Sequence, residues 1–164
     1  MRIRLIATGG TFDKHYDPQG GQLVFGDSVI PAALAAARVH DTVIFQSLFA
    51  LDSLEMNDRH RQQILAACID SPEERIVIIH GTDTMRETAE VLGRAGLARS
   101  IVLTGAMVPY EIVGSDAFFN LGFALAAAQL QPHGVSIAMQ ATLFAWDDVV
   151  KNRVAGAFER RTSS

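Results

Sequence analysis

Cysteine, lysine and clusters of positive charge are scarce in this 164-residue chain, and each scarcity removes a class of function. A single cysteine, Cys68, has no partner for an internal disulfide, and the pattern around it puts it on the apolar side of a helix. It reads as a small buried hydrophobe rather than a nucleophile. Apart from Arg160-Arg161 there is no run of basic residues, and the formal net charge is −4, so nothing grips a phosphate backbone and nucleic acid is not an expected partner. The first apolar stretch breaks at Gly9-Gly10 and Asp13, shorter than a secretory signal core, which points to the cytoplasm. Residues 117–146 contain no Asp, Glu, Lys or Arg, yet Gln129, Gln131, Pro132, His133 and Gly134 interrupt the segment well short of a membrane span. No membrane association is expected. The stretch FFNLGFALAAA, apolar nearly all round, reads as a helix that is either deeply buried or lies at a subunit contact.

What is present is the pattern of a packed domain. Hydrophobic residues make up 49% and charged residues 20%, too apolar for a disordered chain, and the length suits one unit rather than two. Short Ile- and Val-rich runs at 2–8, 42–48, 75–80, 100–104 and 134–140 read as strands. Longer periodic runs at 28–38, 57–69, 84–95 and 116–130 read as helices. Strands without polar alternation are buried on both faces, so the expected fold class is α/β: a doubly wound, mainly parallel sheet with helices on both sides, a Rossmann-like three-layer sandwich. One segment breaks the alternation. After the first strand, Pro18, Gly20 and Gly21 forbid an immediate helix, and QLVF looks like the return arm of a hairpin, giving a flap at about residues 12–27.

In a parallel sheet four groups reach the same rim, where open α/β sheets place their sites: Thr8-Gly9-Gly10-Thr11, Asp52-Ser53, His80-Gly81-Thr82-Asp83-Thr84 and Thr104-Gly105-Ala106-Met107. Singly, each has a structural explanation. TGGT lacks both the G-x-G-x-x-G spacing and the G-K-[ST] ending of a phosphate loop. Thr84 to Glu87 fits a capping box, Thr82 or Asp83 fits a helix cap, and Ser53 and Asn57 precede the next helix in the same way. Catalysis by a threonine needs a base to activate the hydroxyl and donors for an oxyanion. Asp83 beside an amine is one such arrangement, and the only lysines are Lys14 and Lys151. A solvated surface residue is the alternative for Lys151.

Five stretches, IATGGTF, LDSLEMND, IIHGTDTMRETA, VLTGAMVP and SDAFFNLGFAL, follow one another in the order of the motifs of the bacterial L-asparaginase/glutaminase family of threonine amidohydrolases, which this chain resembles. The resemblance continues through MQATLFAWDDVVK, whose last residue falls where that family places its catalytic lysine. It implies Thr11 as nucleophile, a second group of Thr82, Asp83 and Lys151, and Ser53 holding a substrate α-carboxylate. Asp83 also corresponds to the acid that receives the α-amino group. Gly10, Asp52, Gly81 and Ala106 complete the implied substrate contacts. The implied reaction is hydrolysis of a side-chain amide, asparagine to aspartate and ammonia, through an acyl-threonine ester, with no metal or organic cofactor. The implied partners are a small amide substrate and further copies in a homodimer or homotetramer.

The chain also departs from that pattern. The expectation is one N-terminal-type domain over residues 1–164, with the family's C-terminal domain absent after Lys151 and a dimer contact through residues 116–130 in its place. The family's flap tyrosine aligns near Leu23, leaving Tyr16 either as its substitute or as a surface aromatic. Leu54 follows Ser53 where glutamine is frequent, and Val108 stands where arginine commonly follows GAM. An alternative is therefore a weakly active or non-catalytic relative that binds an amino acid or a related carboxylate; a third reading is a subunit whose partner supplies the absent domain.

Overall fold

The computed structural model describes residues 2–39 and 42–161; positions 1, 40, 41 and 162–164 of the expected domain lie outside them. In chain order the first elements are β1 (Ile3–Gly9), β2 (Lys14–Asp17), β3 (Gln22–Phe25), α1 (Ile30–Ala36), β4 (Val43–Leu51), α2 (Asp58–Asp70) and β5 (Arg75–Ile79). Then come α3 (Met85–Ala95), β6 (Ser100–Thr104), α4 (Ala117–Leu130), β7 (Gly134–Met139), β8 (Thr142–Ala145), β9 (Val150–Asn152) and β10 (Ala157–Glu159).

Six strands form the central sheet in the order β4-β1-β5-β6-β7-β8. The first five are parallel, and β8 turns back antiparallel to β7. The expected fold class is thus the observed one. Successive side chains of a strand point to opposite faces, and the two cores divide accordingly. Leu5, Val77, Ile79 and Val102 pack with Ile30 and Ala33 of α1 and Leu121 and Ala124 of α4. Ile6, Ile76, Ile78 and Leu103 pack with Ile64 and Cys68 of α2 and Met85, Ala89 and Leu92 of α3. Cys68 is fully buried, and burial pushes its thiol up to about 12, so it is an inert core residue.

Helix α4 has two sides. Ala117, Leu121, Ala124 and Ala128 cover the sheet, while Phe118 and Phe119 are 45% and 59% exposed. Among the described residues no helix is long and apolar enough to cross a membrane.

Strand β4 ends at Leu51, three residues beyond the expected end at 48, because the register with β1 shifts between Ala7 and Gly9 and Gly9 pairs with Leu51. The bulge carries the strand right up to Asp52. Helix α2 has the expected cap: Asn57 Oδ1 accepts from His60 N, and His60 Nδ1 accepts from Asn57 N. Helix α3 does not. Thr84 occupies the N-cap position, but its hydroxyl donates to Ser53 O at 2.6 Å, so the expected Thr84–Glu87 capping box does not form. A buried carbonyl across the rim needs a donor more than the exposed first turn does.

Candidate active site

The strand order reverses between β1 and β5, since the chain leaves β1 for β4 on one side and crosses to β5 on the other. That reversal is where doubly wound sheets open a crevice at the carboxyl ends of their strands. The loop after β1 carries Thr11, and the loop after β5 carries Thr82 and Asp83.

Glycine lets these loops touch. Gly10 sits at φ 81°, ψ 177°, a region open essentially to glycine alone, and a Cβ there would lie 2.4 Å from Gly81 N. A Cβ on Gly81 would lie 2.6 Å from the Ser53 side chain. Gly10, Gly81 and Ser53 therefore stack closely across three strand ends. Thr8 and Thr104 spend their hydroxyls lacing the rim, on Ile79 O at 2.8 Å and Ala138 O at 2.7 Å.

Lys151 arrives from the β9–β10 hairpin. Its Nζ donates to Thr82 Oγ1 at 2.8 Å and to Asp83 Oδ1 at 2.7 Å. Thr82 Oγ1 also lies 3.7 Å from Met107 Sδ, a weak acceptor for its own proton. The structure therefore brings Thr82, Asp83 and Lys151 into one hydrogen-bonded group. A cavity of about 150 Å³ opens beside them, lined by Arg86, Glu87, Val150, Arg153 and Phe158 as well, with Thr11 and Ser53 outside it. Larger depressions lie along Gln46 and Asp70 and along His133 and Trp146, each about 450 Å³, and along Glu90 and Arg161, about 190 Å³. We take the rim as the site because the titratable groups and hydroxyls converge there.

The other expected residues occupy different settings. Ser53 is 1% exposed, and its Oγ accepts from Thr84 N at 3.3 Å. Asp52 caps the short turn through Leu54 N and pairs with Lys14 Nζ at 2.7 Å; the Lys14 ammonium holds its carboxyl below the usual range. Ala106 is buried in the core between the α4 face and the sheet. Tyr16 is 59% exposed on β2, directly opposite Leu23 of β3, and stands outside the Thr82–Lys151 group.

The flap is anchored by residues to which the sequence alone assigns no such part. Phe12 is fully buried and stacks on Tyr110, with ring centroids 6.2 Å apart, which fixes the turn carrying Thr11. Asp13, buried, accepts from Ser28 Oγ at 3.0 Å and Val29 N at 2.8 Å, joining the flap's two ends. His15 bridges Asp27 O at 2.7 Å and the Glu111 carboxylate at 2.9 Å.

His80, which the sequence places in the rim group without giving it a part, underlies the Thr82 loop. It is fully buried, with Nδ1 2.8 Å from Gly81 O and Nε2 2.8 Å from Thr88 Oγ1. A carbonyl only accepts, so Nδ1 carries the hydrogen and Nε2 accepts from the Thr88 hydroxyl. Burial lowers its pKa to about 4 from the ordinary 6.5. Between those values the unfolded chain takes up a proton that the folded chain refuses, so stability is complete above about pH 6.5 and falls as the pH drops toward 4, by up to about 3 kcal/mol. Urea midpoints measured across that range are expected to decline more steeply for the native chain than for His80→Gln. Parallel curves would mean that His80 is not held neutral.

Known proteins share this fold. The family model described as "Asparaginase, N-terminal" matches residues 2–160. The thermostable L-asparaginase from Thermococcus kodakarensis superposes with a TM-score of 0.86 at 27% identity, over 100% of this chain and 52% of that one. A probable L-asparaginase of Deinococcus radiodurans is 34% identical over 134 residues, 79% of this chain and 39% of the relative. A glutamyl-tRNA(Gln) amidotransferase component of Aeropyrum pernix is 28% identical over 139 residues, 80% of this chain and 33% of the relative. The fold and rim are those of an α/β protein built around a parallel-sheet crevice, and the chain belongs to the asparaginase family, matching its N-terminal domain. It spans between about a third and a half of the length of these relatives.

Proposed function

We propose that the chain is an asparaginase-like amidohydrolase that releases ammonia from L-asparagine or a related small side-chain amide. The observation that carries this reading is the Lys151–Thr82–Asp83 group, held one residue from the contact between Gly81 and Gly10. Thr11 and Thr82 are the residues that directly follow these two glycines, which supports assigning both to one site.

In this reading Thr11 Oγ1 attacks the amide carbon, and the carbonyl π electrons move to oxygen. The negative oxygen is met by backbone N–H groups of the glycine loops and of the turn opening α3, where a helix amino terminus favours negative charge. The carbonyl re-forms as the C–N bond breaks, the nitrogen takes up the proton that Thr11 Oγ1 gave up and leaves as ammonia, and Thr11 is left as an ester. Water attacks the ester carbon, its proton passing through the Thr82 hydroxyl and its partner, the Lys151 amine, to Thr11 Oγ1 as the C–Oγ1 bond breaks, so that the acid departs and Thr11 regains its hydroxyl. Asp83 orients that amine and receives the substrate's α-amino group; Ser53 keeps its own O–H proton to donate to the α-carboxylate. Gly10, Gly81, Asp52 and Ala106 shape the floor. Tyr16 shares a face of the flap with Leu23, because directly opposed residues of an antiparallel pair project together, and this supports it as the flap's tyrosine.

The single buried cysteine fits a reducing, cytoplasmic setting. The exposed Phe118 and Phe119 support α4 as the contact in a homo-oligomer.

The test is ammonia release by the purified protein from L-asparagine, L-glutamine and D-asparagine. Saturable release from one of them is expected, and none from any overturns the reading. The likeness to an amidotransferase component favours a second reading, in which ammonia is made for a partner rather than set free. A protein that co-purifies with the chain and raises its turnover would select it.

A further inference from the structure

We propose that Gln140 is a positioning residue for Lys151. This rests on the part assigned to Lys151 above. Lys151 belongs to a two-stranded ribbon with only three residues in each strand, β9 and β10, joined to neither edge of the six-stranded sheet. A ribbon of that size does not hold its own shape in water. Its position depends on where the body of the protein grips it.

Gln140 is one such grip, and it acts at the level of the lysine. In the ribbon Lys151 lies directly opposite Phe158. The Phe158 N–H donates to Gln140 Oε1 at 2.7 Å, so the backbone immediately behind Lys151 is tied to the β7–β8 turn. The turn is in turn tied to the rim. Gln140 N donates to Asn120 Oδ1 at 3.2 Å, and Asn120, 1% exposed, donates through Nδ2 to Gly105 O at 3.0 Å and to Asp116 Oδ2 at 2.9 Å. A Cβ on Gly105 would lie 2.3 Å from His80 O and 3.4 Å from Thr82 Cγ2. One continuous set of contacts therefore runs from the Thr82 loop through Gly105, Asn120, Gln140 and Phe158 to Lys151.

The choice of residue supports a purpose beyond making the turn. Met139 pairs with Thr142, so Gln140 and Ala141 form a two-residue hairpin loop, and both have positive φ, 55° and 58°. Asn-Gly is the sequence such a loop prefers. Glutamine is a poor residue there, but it is one methylene longer than asparagine, and that extra length is what reaches Phe158. The turn keeps a strained residue for its side chain.

Lys14 and Lys151 are the only lysines, so the position of Lys151 can be read without any catalytic assay. Each is paired with an aspartate and similarly shielded, at 17% and 15% side-chain exposure. A brief pulse of acetic anhydride followed by peptide mass spectrometry gives the Lys151/Lys14 acetylation ratio. Gln140→Asn and Gln140→Gly suit the turn better but cannot reach Phe158. Both are expected to keep or raise Tm while increasing that ratio by at least about fivefold, as the ribbon opens locally. In ammonia release, kcat is expected to fall about tenfold or more with KM little changed. An unchanged ratio in both variants overturns the proposal. So does a ratio that rises only together with a drop in Tm, since that marks general loosening. If the native chain releases no ammonia, the proposed reaction fails while the labelling still decides whether Gln140 positions Lys151.

Discussion

Thr11→Ala and Thr82→Ala are each expected to lower ammonia release by at least about a thousandfold while leaving the fold intact. The two losses have different physical origins. Without Thr11 Oγ1 there is no ester, and what remains is uncatalysed attack by water held in the crevice. Without Thr82 Oγ1 the nucleophile survives, but Lys151 keeps only its Asp83 partner, at 2.7 Å, and the path for the water's proton is cut. Both substitutions remove small groups at the rim and open no large void, so urea midpoints close to native are expected. Pre-steady-state kinetics separates them further: Thr82→Ala can still accumulate an acyl-enzyme, and Thr11→Ala cannot. If either variant turns over within tenfold of the native chain, that threonine has no part in the chemistry.

Gly10→Ala is expected to be severely damaging to the rim. A methyl group there meets Gly81 N at 2.4 Å and Gly81 Cα at 2.5 Å, and both are backbone atoms that cannot swing aside. The φ of 81° with ψ of 177° adds conformational strain. The loops must separate, at about 3 kcal/mol or more, and activity goes with them. Gly96→Ala supplies the comparison, because Gly96 has φ 61° with nothing within 4 Å of the added carbon. Its cost is strain alone, about 1 kcal/mol. Urea denaturation of the two variants checks the difference; equal losses would mean that the Gly10–Gly81 approach is not tight.

The sheet and its rim can be read from the chain because the physics behind them is local. Runs such as RIVII have no polar face to show water and so belong in the middle of a parallel sheet, and the loops that follow such strands share one edge. The boundaries are less legible. Thr84 looks like the start of a capping box, and nothing near it in sequence reveals that the Ser53 carbonyl, 31 residues away, takes its hydroxyl instead. The Lys151 ribbon is invisible for a related reason: its strands are three residues long, and the segment has no alternation to show. Gln140-Ala141 carries none of the usual turn residues, so the β7–β8 hairpin has no signature either. Asp13 reads in the sequence only as a charge breaking an apolar stretch. Its partners, Ser28 and Val29, lie beyond the whole flap.

One buried carboxylate joins the two ends of the flap and Lys14–Asp52 and His15–Glu111 tie its first strand to the body, so the chain beyond them is a closed loop whose span no longer concerns the rest of the fold. Strand β1 enters one side of the Asp13 junction and α1 leaves the other, whatever the intervening residues do. Closing a loop costs little more as it lengthens. The tip of the flap, residues 17–24, is therefore an exchangeable cassette: its length and side chains are free to diverge at little cost to folding, without disturbing Thr11 or the sheet beneath it.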